Sequence, residues 1–105
     1  MIVSTTSTLQ GKEVEQYMGV VSGEAIMGAN VVRDFLASVT DVIGGRSSAY
    51  ENKLAEGREI ALREMEDKAR RLGANAVIGV DLDFETLREG IMMCIATGTA
   101  VRIKE

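Results

Sequence analysis

Residues 48–72 read SAYENKLAEGREIALREMEDKARRL, residues 73–75 GAN, and residues 76–85 AVIGVDLDFE. The first segment reads as a helix, the second as its stop and the third as a strand. Ser48-Ala49-Tyr50-Glu51 fits a capping box. In that device a serine oxygen takes a free backbone N–H of the first turn and the glutamate reaches back to the cap. Apolar residues recur at Tyr50, Leu54, Ala61, Met65, Ala69 and Leu72, in steps of 4, 7, 4, 4 and 3. Those steps fit a period of 3.6 and exclude a period of 2. Acids precede bases by four residues at Glu59–Arg63, Glu64–Lys68, Glu66–Arg70 and Asp67–Arg71, each pair worth about 0.2–0.5 kcal/mol. Arg70 and Arg71 suit the negative end of the helix dipole, and Gly73 is the expected left-handed stop. Gly57 is the weak position, costing about 1 kcal/mol against alanine.

About 25 helical residues span roughly 37 Å. A compact chain of this length has a radius of gyration near about 13 Å, so the helix runs the length of the domain. A single sheet must pack along it, and the sheet's second face needs a cover.

The remaining elements follow in order. Ile2–Thr6 reads as a short strand and Gln10-Gly11-Lys12 as a turn. Most of residues 14–27 reads as a second strand, in which Gly19 and Gly23 mark a bulge or a close backbone approach. Asn30 can cap a short helix whose apolar residues are Val31, Val32, Phe35, Leu36, Val39 and Ile43. Gly44-Gly45 ends it. Arg88-Glu89-Gly90 has hairpin length, and the last strand runs from Ile91 to Lys104. The expected fold is α+β, in the order β-β-α-α-β-β. A mixed sheet packs against one long and one short helix on one face. The crossover from strand 14–27 to strand 76–87 makes those two parallel. No linker, repeat or low-complexity tract divides residues 1–105, which read as a single domain.

Strand 76–87 places Ile78, Val80, Leu82 and Phe84 on a core face and Val77, Gly79, Asp81, Asp83 and Glu85 on the other. Strand 91–103 alternates Ile91, Met93, Ile95, Thr97, Thr99, Val101 and Ile103 with Met92, Cys94, Ala96, Gly98, Ala100 and Arg102. Neither face is polar near its middle. A strand that needs cover on both sides points to a helix on one side and another subunit on the other, which is the residue-level reason to expect a homo-oligomer.

Composition narrows the function. The chain has 105 residues, 46% hydrophobic but only 4% aromatic, with a net charge of −4. An acidic chain without a basic stripe does not suit nucleic acid. No apolar run reaches the roughly 20 residues of a membrane span. The N-terminus lacks the basic and apolar regions of a secretory signal, and a single cysteine suits a reducing cytoplasm. There is no histidine, which removes the commonest general base and metal ligand together. Ser22, Ser38, Thr97 and Thr99 have no base to activate them, so no nucleophile pair forms and the expectation is a non-enzyme.

Three groups are candidates for chemistry. Met92-x-Cys94 puts a thioether and a thiol on one strand face, the soft donors that select a metal such as Cu(I); the plain alternative is apolar filling of a core or interface. Asp81, Asp83 and Glu85 form an acidic strand face that could hold a hard cation, or be simply solvated. Gly44-Gly45-Arg46-Ser47-Ser48 precedes a helix N-terminus, where free N–H groups, the dipole and Arg46 suit an anion. The same run serves as a hinge with a serine cap.

The chain resembles the bacterial YbjQ-like family, an uncharacterised group labelled heavy-metal-binding. The resemblance covers nearly the whole chain. It is carried by Gly19-Val20-Val21-Ser22-Gly23, by Gly45-Arg46-Ser47 with Tyr50, by the run from Gly73 to Val80, and by Thr97-Gly98-Thr99-Ala100-Val101. It implies an α+β subunit assembling into a ring, a pentamer. Better understood heavy-metal-binding domains carry a C-x-x-C loop, which this chain lacks, so a metal here would need Cys94, Met92 or carboxylates between subunits. The joint expectation is a cytoplasmic, non-enzymatic, ring-forming protein that binds a small ligand or soft metal ion. The alternative is a structural or adaptor ring presenting an acidic surface to a protein partner.

Overall fold

The computed structural model describes residues 1–28, 48–88 and 91–105. Its elements are β1 (Ile2–Val3), β2 (Val14–Met27), α1 (Ser48–Arg71), β3 (Ala76–Arg88) and β4 (Ile91–Ile103). The sheet order is β1-β3-β4-β2. β1 runs parallel to β3, while β4 is antiparallel to both β3 and β2. β2 and β3 are therefore parallel, as the crossover requires, but β4 lies between them. The fold is α+β with a mixed four-stranded sheet. Among the described residues there is one helix. The expected short helix over 31–43 lies outside them, as do Arg46 and Ser47.

The long helix begins at Ser48 and stops where its sequence says. Gly73 has φ +91°, and the Ala74 N–H donates to the Ala69 carbonyl at 3.0 Å, the six-to-one bond of a Schellman stop. Ion pairs form between Glu64 and Lys68 at 3.3 Å and between Glu66 and Arg70 at 3.8 Å. Asp67 turns to Arg70 at 3.0 Å rather than to Arg71.

α1 lies over β2 and β4. Its buried stripe is Gly57, Ala61, Met65 and Ala69, one residue every four, against Val21, Ala25, Cys94, Ala96 and Ala100. Small residues on both surfaces bring the helix close. A Cβ on Gly23 would collide with the Ala61 carbonyl oxygen, so β2 meets the helix backbone there. The two strand glycines divide the expected roles. Gly23 is the close approach, and Gly19, at φ +114° with a register shift beside it, is the bulge.

The alternation expected of β3 needs one correction. Gly79 adopts φ +61° and the register shifts between Ile78 and Asp81. The bulge inserts one residue and reverses the pleat. Val77 and Val80 therefore share the helix-side core, whereas Ile78 joins Ala76, Val101 and Ile103 on the opposite face, beneath Leu9 and Val14. Pairing with the N-terminal segment continues past β1: Ser4 N–H donates to Val77 O, Gly79 N–H to Thr6 O and Val80 N–H to Ser4 O.

The result is a flat body of 52 × 27 × 15 Å with a radius of gyration of 16.6 Å, above the roughly 13 Å of a compact chain of this length. One face of the sheet carries the helix. Among the described residues, the other is covered only where Leu9 and Val14 meet the ends of β3 and β4.

Candidate functional site

Cys94 and Met92 do share a face, and it is the helix face. Cys94 is fully buried and Met92 half-buried. The sheet adds a third sulfur. Met27, the last residue of β2, is the register partner of Met92. A Cβ on Gly57 would lie 3.5 Å from the Met27 sulfur and 3.8 Å from the Cys94 Cβ, so the helix glycine sits over both. Ala25 and Phe84 flank Cys94 across the strands, and Thr86 flanks Met92. Burial pushes the Cys94 thiol up from its ordinary pKa; the Arg58 charge opposes this and Asp83 adds to it. A metal would have to displace that thiol proton. Among the described residues no group of three His, Cys, Asp or Glu side chains could hold a metal ion. The donor set at this end is sulfur, which fits a soft ion and not a hard one. Met27 escaped the sequence reading because its neighbour across the sheet is set by register, sixty-five positions away in the chain.

The open face is ordered in rows that cross β2, β4 and β3. They are Val20–Thr99–Ile78, Ser22–Thr97–Asp81, Glu24–Ile95–Asp83 and Ile26–Met93–Glu85. Asp81, Asp83 and Glu85 therefore form the expected acidic column, and Glu24 stands two strands away from Asp83, roughly 10 Å at sheet spacing. A hydrogen bond that protonated Asp83 donates to Asp81, and then the Asp81 charge, raise the Asp83 carboxyl above its ordinary pKa. β2 is an edge strand of 14 residues, and its open-face side chains are unusually apolar: Tyr17 is 69% exposed, Val20 81% and Ile26 65%. The three sulfurs and the acidic column lie on opposite faces and make two separate groups. Of the expected anion loop, Ser48 is the first residue of α1.

No helix among the described residues is long and apolar enough to cross a membrane. A family profile described as "Putative heavy-metal-binding" matches residues 1–104. A UPF0145 protein of Geobacillus kaustophilus is 76% identical over 104 residues, spanning 99% of both chains. Another, from Anoxybacillus flavithermus, is 74% identical over the full length of both. One from Bacillus cereus is 61% identical over 103 residues, spanning 98% of this chain and 100% of that one. The fold matches a crystal structure of a Pediococcus pentosaceus protein of unknown function in the DUF74 family. The TM-score there is 0.67 at 14% identity, over 99% of this chain and 98% of that one. Together the profile and these bacterial relatives establish that the chain belongs to the YbjQ-like family.

Proposed function

We propose that this protein is a non-enzymatic homo-oligomer that binds a soft monovalent metal ion through Met27, Met92 and Cys94. The observation that carries the reading is the placing of Met27 and Cys94 together beneath Gly57, with Met92 as the register partner of Met27. Thioether and thiolate donors favour Cu(I) over the harder divalent ions. The family's description points the same way. Assembly is supported separately by the open face, whose Val20, Ile26, Met93 and Ile95 need cover. A pentameric ring in the cytoplasm is the form that the family resemblance and the lone cysteine suggest. The ion would release one proton on binding the thiolate of Cys94.

The test is anaerobic Cu(I) titration with native mass spectrometry of the assembly. One ion per chain is expected. Cys94→Ser and the pair Met27→Leu and Met92→Leu should each weaken uptake by about tenfold or more. Uptake unchanged in both variants would overturn the reading.

The adaptor alternative rests on the acidic column together with Glu24. An oligomer that takes up no Cu(I), yet whose capture of one defined protein is abolished by Asp81→Asn with Asp83→Asn, would favour it.

A further inference from the structure

The end of the sheet opposite the sulfurs carries a cleft. Cys94 and Ile103 are nine positions apart on β4, roughly 30 Å along a strand, so this cleft is remote from the sulfurs. It has a volume of about 520 Å³, and its walls include Lys12, Arg70, Asn75, Ile103, Lys104 and Glu105. Its cations come from three separate places: the turn before β2, the last turn of α1 and the segment after β4. In a chain with 16 acids against 12 bases, a cleft lined by three cations and one acid runs against the average.

The walls are fixed. Asn75 Nδ2–H donates to the Ile103 carbonyl at 2.9 Å, and the Ile103 N–H donates to Asn75 Oδ1 at 2.7 Å. The side chain thus takes the place of a strand. The Lys104 N–H donates to the Glu13 carbonyl at 2.9 Å, which ties the two lysine-bearing segments together. Asn75 Nδ2 also holds the Glu105 carboxylate, at 3.3 Å. The cleft sits at a helix C-terminus, whose free carbonyls would repel an anion. Three of the last four are already occupied: Lys68, Ala69 and Arg70 accept from Leu72, Ala74 and Gly73, and beyond the helix the Gly73 carbonyl accepts from Arg102. Arg70 pairs with Asp67 and Glu66 in exposed contacts. Such pairs are weak, so its planar fork remains exchangeable for a better acceptor.

We infer that this cleft binds a small molecule through a multivalent phosphate group, with Arg70 gripping it and Lys12 and Lys104 supplying charge. The volume lies in the range of small-molecule sites, and Ile103 with Ala74 gives an apolar wall for the rest of the ligand. The site is independent of the sulfurs.

The experiment is calorimetric titration of the intact oligomer with inorganic pyrophosphate in phosphate-free buffer, with citrate as a second probe. Pyrophosphate should bind at one site per chain and shift the Asn75 and Lys104 amide resonances. Lys12→Gln with Lys104→Gln should weaken binding by about tenfold, as expected when charge-assisted contacts to an anion are removed. Both lysines are exposed, so the fold survives the change. Lys12→Arg with Lys104→Arg should restore binding, and Lys53→Gln, on the distant first half of α1, should leave it unchanged. No binding, equal loss in the Lys53 variant, or citrate binding as tightly as pyrophosphate would each overturn the assignment.

Discussion

The two faces of the sheet are made of different material. Under α1 stand Val21, Gly23, Ala25, Cys94, Ala96 and Ala100, all buried, facing a helix stripe of Gly57, Ala61, Met65 and Ala69. On the other face stand Val20, Ser22, Glu24, Ile26 and a half-buried row from Met93 to Thr99. The first face is built of small residues packed close to the helix, most tightly at Gly23, where a Cβ would meet the Ala61 and Met65 backbone. The second is large, β-branched and acidic, and tolerates change in the isolated chain. A close-packed face specifies a fold, because changes of even one methyl group are felt there. An uncovered apolar face beside a long edge strand specifies a contact with something else. Stability thus lies on one side of these three strands, and the association proposed above would use the other.

The sharpest way to break this contrast is a single methyl or two on the covered side. Gly23→Val would drive its Cβ into the Ala61 carbonyl and the Met65 backbone. Neither can move without lifting the helix, so the loss should reach about 3 kcal/mol or more, read by urea denaturation. Met65→Ala works in the other direction. Met65 is fully buried, and removing it should cost about 2–5 kcal/mol. Equal tolerance of both changes would mean that the helix is not seated as described.

On the open side the expected pattern inverts. Val20→Lys with Ile26→Lys should change the chain's own stability by only about 0.5 kcal/mol per site. The same pair should dissolve the oligomer, as read by light scattering on a sizing column. An assembly that survives both lysines would remove the open face from the interface.

The two faces also differ in how legible they were. The helix, its stop and the approximate extent of the three long strands could be read directly, because period, cap and glycine are local signals; the first strand, expected over Ile2–Thr6, is only Ile2–Val3. The roles of Gly19 and Gly23 were visible as a pair of possibilities that only the tertiary contact could separate. The face of Ile78 was misread because strict alternation assumes an unbroken ladder, and nothing local marks Gly79 as the bulge rather than as one more strand residue. Cys94 and Met92 were legible as neighbours two apart. Met27 was not, since its place beside them depends on how β2 registers with β4. The acidic column was legible, its distance from the sulfurs was not, and the Lys12–Arg70–Lys104 cleft left no trace in a chain read segment by segment.

Gly57 lets the covered face be probed from its sulfur-bearing end, where the metal site is proposed. Alanine there should stabilise the helix by up to about 1 kcal/mol, because the new methyl meets Met27 and Cys94 at ordinary contact distances of 3.5 to 3.8 Å. The same methyl occupies space directly over the sulfurs. Gly57→Ala should therefore raise the melting temperature while weakening Cu(I) uptake. A rise in both would place the metal elsewhere.

The smallest expected effect belongs to the acidic column. Asp83 has its pKa raised in the folded chain, chiefly by Asp81, through a hydrogen bond and then through charge, with a further push from Glu85. A carboxyl whose folded pKa lies above its unfolded value favours the folded state when protonated. That penalty is present at neutral pH and is relieved as pH falls through the raised pKa. Both groups are exposed to solvent, so the effect on the isolated chain is slight. It grows if assembly buries the column, because a contact between copies brings carboxylates out of water. Acidification from neutral pH toward the carboxylate range should therefore tighten the oligomer more than it stabilises the chain. Asp81→Asn should return the Asp83 titration, followed by NMR, toward its ordinary midpoint and flatten the pH dependence of assembly. If the Asp83 midpoint moves but assembly keeps its pH dependence, the column faces solvent in the oligomer, and the apolar residues of β2 alone make the contact.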